Sequence, residues 1–378
     1  MKITAIITEY NPLHNGHLYQ LLTAREETNP DALVIVMSGS FTQRGDITVA
    51  DKYTRADWAI KAGADLVLEL PTAFSLSHAP RFALGAVKTL MPLGEITLSF
   101  GSESGDIRTL EEAASTLKDE TEEFKQRLNE YMSQGYSLAK SRTLALDIEN
   151  PDLSRLISTP NNILGVEYIK AAKFLRADFK FHTVKRRYSD NGGAFLSSGE
   201  VRKLMEKGED YSKAVPPFVR PTQPDLKRFE AICLYAIASM TEEQLAGIAN
   251  ISEGFENRLK KTNFKSMDEI CALVTKRYTR ATVKRIVASA ALGVKKNMFA
   301  KTLKEKYFRV LAVRDSRKDL LSYLAKRCDN VFIKASDCPL SSPIRPLIDL
   351  DEKAHKFYTI VSNQKNVPNE PLFLKNRF

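Results

Sequence analysis

The sequence predicts an α/β protein in which a parallel sheet with helices on both faces is followed by a mainly helical C-terminal domain. Over the first hundred residues, short apolar runs alternate with segments of helical periodicity, the pattern of strand–helix–strand units. Residues 214–225, AVPPFVRPTQPD, carry four prolines in twelve positions and indicate a domain boundary. Beyond them the pattern is mostly helical until about residue 305. We therefore predict domains over residues 1–215 and 216–378, a division that the chain length allows.

Five strands are predicted in the first domain from short apolar runs bounded by turn residues. They are KITAIITEY, ALVIVMSGS, LVLELP, GEITLSFGSE and DFKFHTVKRR. Helices are predicted at GHLYQLLTAREET and DKYTRADWAIKAGA, over residues 109–147, after the loop SRLISTPNN and after the turn FLSSG. The last part of the chain, with FRVLAVRDS and NVFIKAS, mixes strand-like and helical segments. Because parallel strands point the same way, the turns after the first four strands share the carboxyl edge, where open α/β sheets bind ligands.

The charge of the chain is divided unevenly between the two predicted domains. Residues 1–215 contain 26 Lys and Arg against 29 Asp and Glu, a net charge of −3. The remainder contains 56 − 26 = 30 basic and 46 − 29 = 17 acidic residues, a net charge of +13. A basic field confined to one domain is typical of a nucleic-acid binder. The alternative is an ordinary solvated basic surface.

Composition also excludes several classes of protein. No apolar run approaches the roughly 18–20 residues that a membrane span needs, and the first residues become polar too soon for a secretory signal. Four scattered cysteines form no CxxC pair, so we expect buried thiols in a cytoplasmic protein and no protein-bound metal centre. These cysteines are Cys233, Cys271, Cys328 and Cys338.

Two of the five histidines lie three residues apart directly after the first strand, in EYNPLHNGHLYQL. Gly16 between them allows the backbone to approach a phosphate closely, and a helix that begins near His17 directs free N–H groups at the same anion. Hydrogen-bond donors fixed where charge develops are a large term in phosphoryl-transfer catalysis. The alternative is a pair of packed or capping histidines at a helix end.

A second candidate anion site lies in FLSSGEVRKLM. Ser197 and Ser198 open a predicted helix, and Arg202 lies on its first turn. Hydroxyls, helix N–H groups and a guanidinium together suit a second group of phosphate oxygens.

An HxGH motif with this later serine and arginine element resembles the nucleotidylyltransferase superfamily, whose Rossmann-like sheet class I aminoacyl-tRNA synthetases share. The resemblance implies that His14, Gly16 and His17 stabilise the α-phosphate of a nucleoside triphosphate. It also implies that Ser197, Ser198 and Arg202 hold the β- and γ-phosphates. His14, His17 and Arg202 are then the predicted catalytic residues.

Three further stretches narrow the resemblance to one bacterial family. ITEYNPLHNGHLYQL, SGSFTQRGD with DKYTRADWAIKAGADLVLELP, and TPNNILGVEYIKA are similar to the tRNA(Met) cytidine acetate ligases, and KRYTRATVKRI extends the similarity towards the C-terminus. That family activates acetate with ATP to acetyl-adenylate and transfers the acetyl group to N4 of the wobble cytidine of elongator tRNA for methionine. AMP and pyrophosphate are released. The resemblance implies ATP, with Mg²⁺ expected beside it, and neither coenzyme A nor a membrane as a partner.

The resemblance also implies an ATP site formed mainly by residues 7–20. These are Ile7, Thr8, Glu9, Tyr10, Asn11, Pro12, Leu13, His14, Asn15, Gly16, His17, Leu18, Tyr19 and Gln20, joined by Gly101, Asn162, Arg187, Ser197 and Ser198. Gly101 suits close approach of an adenine or ribose, Asn162 offers both a donor and an acceptor, and Arg187 offers positive charge. The alternatives are a turn glycine, a helix cap and a surface base. Polar residues after the second strand are expected on the acetate or cytidine side, namely Ser38, Gln43, Arg44, Asp51 and Lys52.

The predicted RNA-binding residues lie in VTKRYTRATVKRIVASAALGVKKN. Lys276, Arg280 and Lys284 recur every four residues, which predicts one helical stripe, and Arg277 and Arg285 flank it. Such a stripe suits phosphates and predicts salt-dependent binding. Basic residues of NRLKKTNFKS extend this footprint in the prediction, namely Arg258, Lys260, Lys261 and Lys265. The alternative is a solvated helix face.

Three other functions remain open at this point. The first is an adenylyltransferase acting on a small phosphorylated metabolite, which would show no salt-sensitive RNA binding. The second is a non-catalytic RNA-binding protein on the same fold, which would release no pyrophosphate. The third is an acyl-CoA acetyltransferase, for which the sequence lacks a suitable glycine-rich helix start.

Overall fold

The computed structural model contains a seven-stranded sheet with strand order β5-β4-β1-β2-β3-β6-β7. It describes residues 1–117, 121–188, 193–252, 254–261, 263–364, 367–368 and 370. The strands are β1 (Ile3–Thr8), β2 (Ala32–Ser38), β3 (Leu66–Leu70), β4 (Ile96–Ser102), β5 (Phe179–Lys185), β6 (Phe308–Val313) and β7 (Val331–Phe332).

The first five strands are mutually parallel, which confirms the predicted α/β sheet. In register, Ile3 pairs with Ala32, Thr4 with Thr97, and Ile96 with Phe179. Every residue of β1, β2 and β3 is buried. Continuous burial explains their unbroken apolar runs, since helices cover both faces of a parallel sheet.

The helices of the first half lie between these strands. They are α1 (Asn15–Thr28), α2 (Lys52–Lys61), α3 (Thr72–Ser75), α4 (Ala79–Leu90), α5 (Ile107–Thr116), α6 (Glu122–Ser133), α7 (Leu138–Glu149), α8 (Pro151–Leu156), α9 (Pro160–Leu175) and α10 (Ser198–Lys207). Helix starts follow local capping chemistry. Asp51 accepts hydrogen bonds from the N–H groups of Tyr53 and Thr54 at α2, and Ser197 forms a capping box with Glu200 at α10.

The second half is helical up to residue 304 and then returns to the sheet. Its helices are α11 (Leu226–Ser239), α12 (Glu242–Ala246), α13 (Phe255–Lys260), α14 (Met267–Cys271), α15 (Arg280–Leu292), α16 (Met298–Lys304), α17 (Asp319–Ala325) and α18 (Arg345–Val361). The strand-like FRVLAVRDS contains β6, which pairs antiparallel with β3, and β7 pairs parallel with β6. The late strands therefore cover the edge that β3 would otherwise expose. Both halves of the chain contribute strands to one sheet. The predicted boundary near residue 215 therefore separates the first five strands from the helices that follow, but β6 and β7 lie beyond it.

The cysteines and the helix lengths bear on two further predictions from the sequence. Cys233, Cys271 and Cys338 are buried, Cys328 is partly buried, and all four are free. Within the described residues, no helix combines the length and the apolar character needed to traverse a bilayer.

Candidate active site

A cleft of about 660 Å³ opens at the carboxyl edge of the sheet. Strands β2 and β3 continue the sheet on one side of β1, and β4 and β5 continue it on the other. The order of strands therefore reverses between β1 and β4, which is where open α/β sheets form ligand crevices. The cleft is lined from the ends of β1, β4 and β5, from residues 42–46, and from the starts of α1, α9 and α10.

The two histidines of the HxGH motif form a stacked pair at the start of α1. Their ring centroids lie 3.7 Å apart at an interplanar angle of 27°. His14 is the N-cap of the helix, and its Nδ1 accepts the N–H of Gly16 at 3.0 Å. Nδ1 of His17 accepts the N–H of His14 at 3.4 Å. A Cβ on Gly16 would lie 2.8 Å from Cε1 of His14, so the motif requires glycine here.

Both imidazoles are neutral, and each carries its proton on Nε2. Burial lowers the pKa of His14 to about 3, and the charge of Arg186 acts in the same direction, against Glu200. Burial also lowers the pKa of His17 well below its usual range, with His14 and Arg186 adding to the effect. Because Nδ1 of each ring accepts a backbone N–H, the Nε2–H group of each ring is a hydrogen-bond donor.

The serine and arginine element lies against the HxGH segment. Nη1 of Arg202 donates to the carbonyl of Asn11 at 2.6 Å, and Oγ of Ser198 donates to the carbonyl of Pro12 at 3.1 Å. Both residues line the cleft together with Ser197, whose hydroxyl also caps α10. The structure thus brings together two motifs separated by about 180 residues, as the ATP-site prediction requires.

Arg187 and Gly101 lie on the wall formed by β4 and β5. The guanidinium of Arg187 is 3.9 Å from the ring centroid of Tyr19 and 6.0 Å from that of Phe195. Gly101 is the sixth residue of β4, inside the strand rather than after it. A Cβ there would meet Gln20 Oε1 at 3.7 Å, an ordinary contact, so packing within the protein does not demand glycine. The glycine leaves space on the cleft side, where it forms part of the lining.

Comparisons with known proteins agree with this geometry. The model of the HIGH Nucleotidyl Transferase family matches residues 1–370. A protein of Thermoanaerobacter sp. (strain X514) named tRNA(Met) cytidine acetate ligase is 37% identical over 97% of both chains. A protein of the same name from Clostridium botulinum (strain Langeland) is 33% identical over 100% of this chain and 99% of its own. The chain belongs to the tRNA(Met) cytidine acetate ligase family.

A solved structure shares the fold of this family member. The crystal structure of Thermotoga maritima TmcAL bound with alpha-thio ATP superposes with a TM-score of 0.89 at 30% identity, over 99% of this chain and 100% of that chain. The sequence-based prediction of a ligase family on a nucleotidylyltransferase fold is therefore confirmed.

Most of residues 7–20 line the cleft of this cytidine acetate ligase family member, and a few do not. The lining residues are Ile7, Thr8, Glu9, Tyr10, Asn11, His14, Gly16, His17, Tyr19 and Gln20. Pro12, Leu13, Asn15 and Leu18 are not among them. Leu13 lies in the core, and Nδ2 of Asn15 donates to the carbonyls of Ala194 and Lys213. The side chains of Leu13 and Asn15 thus have partners within the protein.

The side chain of Asn162, predicted at the ATP site, forms its hydrogen bonds with the protein. Oδ1 of Asn162 accepts the N–H groups of Glu103 and Ser104, and Nδ2 donates to the carbonyl of Leu156. Its side chain is 3% exposed and connects the end of β4 to the start of α9. The neighbouring Asn161 lines the cleft instead, held by Glu103.

Three of the five residues predicted on the acetate or cytidine side lie elsewhere. Gln43 and Arg44 line the cleft. Lys52 is fully buried in an ion pair with Glu69 at 2.9 Å, Asp51 caps α2, and Ser38 is buried at the end of β2. A buried charge without a partner is costly, so Lys52 and Asp51 are committed to the fold.

Several cleft residues were not predicted from the sequence. Arg186 lies beside the histidines, Asp46 follows the second strand, and Phe100 and Tyr168 add an aromatic wall with centroids 5.9 Å apart. Arg186 could have been found by its adjacency to Arg187. In the sequence, Phe100 and Tyr168 are indistinguishable from ordinary core residues. Their position at the cleft follows from the packing of β4 against α9.

The predicted basic stripe of this cytidine acetate ligase family member is corrected in its first residues. Thr279 is the N-cap of α15, so Lys276 and Arg277 precede the helix. Nζ of Lys276 lies 4.6 Å from the ring centroid of Tyr136. Both basic residues line a shallow second pocket of about 370 Å³ with Arg258, where Phe255 and Tyr278 are stacked at 4.2 Å. Because Thr279 caps the helix, only Arg280 and Lys284 of the predicted stripe lie on α15.

The remaining basic residues of the stripe have protein partners. Arg280 pairs with Asp268 at 2.6 Å, and both side chains are largely exposed. Lys284 pairs with Asp46 at 2.7 Å. Nη1 of Arg285 donates to the carbonyl of Gln43 at 3.1 Å, and burial lowers the pKa of Arg285 to about 10. Helix α15 therefore contacts the segment 42–46 that lines the cleft.

Proposed function

We propose that this protein is an ATP-dependent ligase that acetylates N4 of the wobble cytidine of elongator tRNA for methionine. The observation that carries the proposal is the joining of HxGH and the Ser198–Arg202 element in one cleft at the switch point of the sheet. The names of the relatives support the acetate and tRNA(Met) substrates. The alpha-thio ATP bound to the Thermotoga maritima protein supports the nucleotide.

In the first half of the proposed reaction, an acetate oxygen attacks the α-phosphorus of ATP and pyrophosphate leaves. The Nε2–H groups of His14 and His17 donate to the α-phosphate oxygens, where negative charge grows. Arg202 and Ser198 hold the β- and γ-phosphates. Mg²⁺ would be held mainly by the phosphate oxygens and would offset part of their negative charge. Arg187, stacked on Tyr19, binds on the nucleotide side of the cleft.

In the second half, the exocyclic amine of cytidine attacks the acyl carbon and AMP leaves. The carboxylate needs this activation because oxide is a poor leaving group, whereas AMP is a good one. The amine is a weak nucleophile because its lone pair is conjugated with the ring. Positioning beside the acyl-adenylate and exclusion of water are the contributions that the cleft makes. A base in an anticodon loop is extruded at low cost, since it is not held in a duplex.

The basic surface formed by residues 216–378 holds the rest of the RNA. Lys276, Arg277 and Arg280 supply charge near the second pocket, with Arg258 on its rim. Lys284 and Arg285 connect this surface to the cleft through Asp46 and Gln43. Phosphate contacts of this kind weaken as salt rises, because bound counterions are released on association.

The test uses labelled acetate, ATP and tRNA, followed by digestion of the RNA and separation of its nucleosides. Label is expected in acetylated cytidine, with one pyrophosphate released for each acetyl group transferred. Labelling without ATP, or labelling with acetyl-CoA in place of acetate and ATP, contradicts the proposal. Pyrophosphate release that requires a phosphorylated metabolite rather than acetate favours the small-molecule adenylyltransferase.

A further inference from the structure

Glu9 is a carboxylate in a cleft that otherwise suits a highly anionic nucleotide. It follows β1 directly and lines the cleft, and it precedes His14 of the HxGH motif by five positions. A negative group there repels phosphate oxygens unless it meets a hydrogen-bond donor or a cation. The phosphate oxygens alone therefore do not account for this side chain.

The carboxylate of Glu9 is held in one orientation. Its Oε1 accepts the backbone N–H of Gln43 at 2.6 Å, and its own carbonyl accepts Nη1 of Arg55 at 2.7 Å. Oε2 has no hydrogen-bond partner among the residues that the structure describes, and Glu9 lines the cleft. One oxygen is therefore fixed by the protein while the other remains available to a ligand.

The segment that holds Oε1 is itself fixed from the basic half of the chain. Lys284 pairs with Asp46, and Arg285 donates to the carbonyl of Gln43. A Cβ on Gly45 would lie 2.5 Å from the backbone N of Arg285, so the segment 42–46 packs directly on α15. The surface proposed to bind RNA thus positions the group that orients Glu9.

Charged and titratable groups face Glu9 from several elements. Arg202 comes from α10, Arg55 from α2, Asp46 from the segment 42–46, and Tyr168 from α9. Burial raises the pKa of Glu9, and Asp46 raises it further. The Gln43 N–H group and the charges of Arg202 and Arg55 oppose that rise. A carboxylate of raised pKa accepts a proton more readily than an ordinary glutamate, as a general base must.

We propose that Glu9 accepts a hydrogen bond from the exocyclic amine of the target cytidine and removes its proton as the acetyl group is transferred. This inference rests on the proposed function. A carboxylate is a matched acceptor for cytosine N4, whereas uracil presents a carbonyl oxygen at the same position and is repelled. Glu9 therefore acts both as the base of the transfer step and as a selector of cytidine.

The step balances with this one proton acceptor. The N4 lone pair forms the C–N bond to the acyl carbon, and the C–O bond to AMP breaks with its electron pair on the phosphate oxygen. The proton lost from N4 passes to Oε2 of Glu9. AMP and the protonated carboxyl are left, and the carboxyl returns its proton to water before the next cycle.

The experiment separates the two half-reactions of the full-length protein. Acetate-dependent exchange of labelled pyrophosphate into ATP measures the first, and transfer from added acetyl-adenylate to tRNA measures the second. For Glu9→Gln we expect exchange within about threefold of wild type and transfer reduced by about 10²- to 10⁴-fold, the usual contribution of a general base. Glu26→Gln, at an exposed position of α1, is the matched control and should change neither rate.

Two further measurements keep the outcome decisive. Transfer by the wild type should rise with pH through the raised pKa of Glu9, and Glu9→Asp should keep that rise at a lower rate, while Glu9→Gln should lose it. Loss of exchange with intact transfer would assign Glu9 to ATP or its metal ion and overturn the inference. Equal loss of both rates, or unchanged transfer in Glu9→Gln, would also overturn it. Failure of the wild type to transfer acetyl at all would instead refute the proposed function.

Discussion

Nζ of Lys284 lies 2.7 Å from Oδ1 of Asp46, so a helix of the basic half is bonded to the segment that lines the cleft. Both side chains are about 30% exposed. Such a pair is typically worth about 1 kcal/mol or less, but its geometric effect reaches Glu9 through Gln43.

Reversing the charge of Lys284 should therefore affect acetyl transfer and tRNA binding. We expect Lys284→Glu to lower transfer from added acetyl-adenylate by about twofold to fivefold, the effect of about 1 kcal/mol or less, because two carboxylates then face each other beside the segment that orients Glu9. The double variant Lys284→Glu with Asp46→Lys should recover most of the transfer rate. Weaker tRNA binding with unchanged transfer at saturating tRNA in Lys284→Glu would mean that this ion pair does not position the segment.

Arg280 is expected to bind RNA and to take no part in adenylation. Its side chain is 60% exposed, and its partner Asp268 is exposed still more. We expect Arg280→Glu to weaken tRNA binding and to lower the slope of log K against log salt by about 1, the change for a lost phosphate contact. Binding measured at several salt concentrations tests this, with the exchange rate as the control. A fall in exchange would contradict the assignment.

The HxGH imidazoles should be needed for adenylation alone. We expect His17→Ala to reduce acetate-dependent exchange by about 10²- to 10³-fold, the usual cost of removing one donor to a developing anion. Binding of tRNA should stay within about twofold, since the ring lies in the cleft and not on the basic surface that includes α15. His14→Ala should behave similarly, with some loss of stability because His14 also caps α1. Normal exchange in both variants would remove the histidines from the mechanism.

Gly45 tests the contact between the cleft segment and α15. It adopts φ +81°, and a Cβ would meet the backbone of residues 284 and 285 at 2.5 Å. We expect Gly45→Ala to lower the free energy of unfolding by about 1–3 kcal/mol through overpacking and strain, and to lower acetyl transfer as well. Gly208 has φ +70° with no atom within 4 Å, so Gly208→Ala is the matched control. Equal losses in urea denaturation would show that the contact adds nothing to the backbone strain.

Buried neutral histidines should make the protein less stable in mild acid. Burial lowers the pKa of His14 to about 3, and it also lowers the pKa of His355, with the charge of Lys52 adding to this. The unfolded chain binds protons at these side chains below about pH 6.5, whereas the folded chain binds them only at lower pH, for His14 near pH 3. Between the unfolded and the folded pKa of each such histidine, the free energy of unfolding should therefore fall by up to about 1.4 kcal/mol per pH unit as the pH drops.

Urea denaturation at about pH 7.5 and about pH 5.5, on either side of the ordinary histidine pKa, measures this loss. His355→Gln should lessen it, because the variant removes one group that titrates only in the unfolded chain. A pH dependence identical to that of the wild type would show that the folded protein binds a proton at His355 as readily as the unfolded chain does.

The sheet, the HxGH site and the uneven charge could all be predicted from the amino-acid sequence. Apolar runs of strand length, a capping histidine before Gly16 and a basic second half are local properties, and each is retained in the structure. Family membership also followed from ordered motifs. These features depend on neighbouring residues or on composition, so they can be predicted without knowing the tertiary structure.

Which polar residues line the cleft became clear only from the folded arrangement. Asn162, Asp51 and Lys52 resemble site residues in the sequence, yet burial commits each of them to a protein partner. Lys284 and Arg285 resemble free phosphate ligands, yet they contact residues more than two hundred positions earlier. A side chain is available to a ligand only when no protein group already satisfies it, and long-range packing determines that.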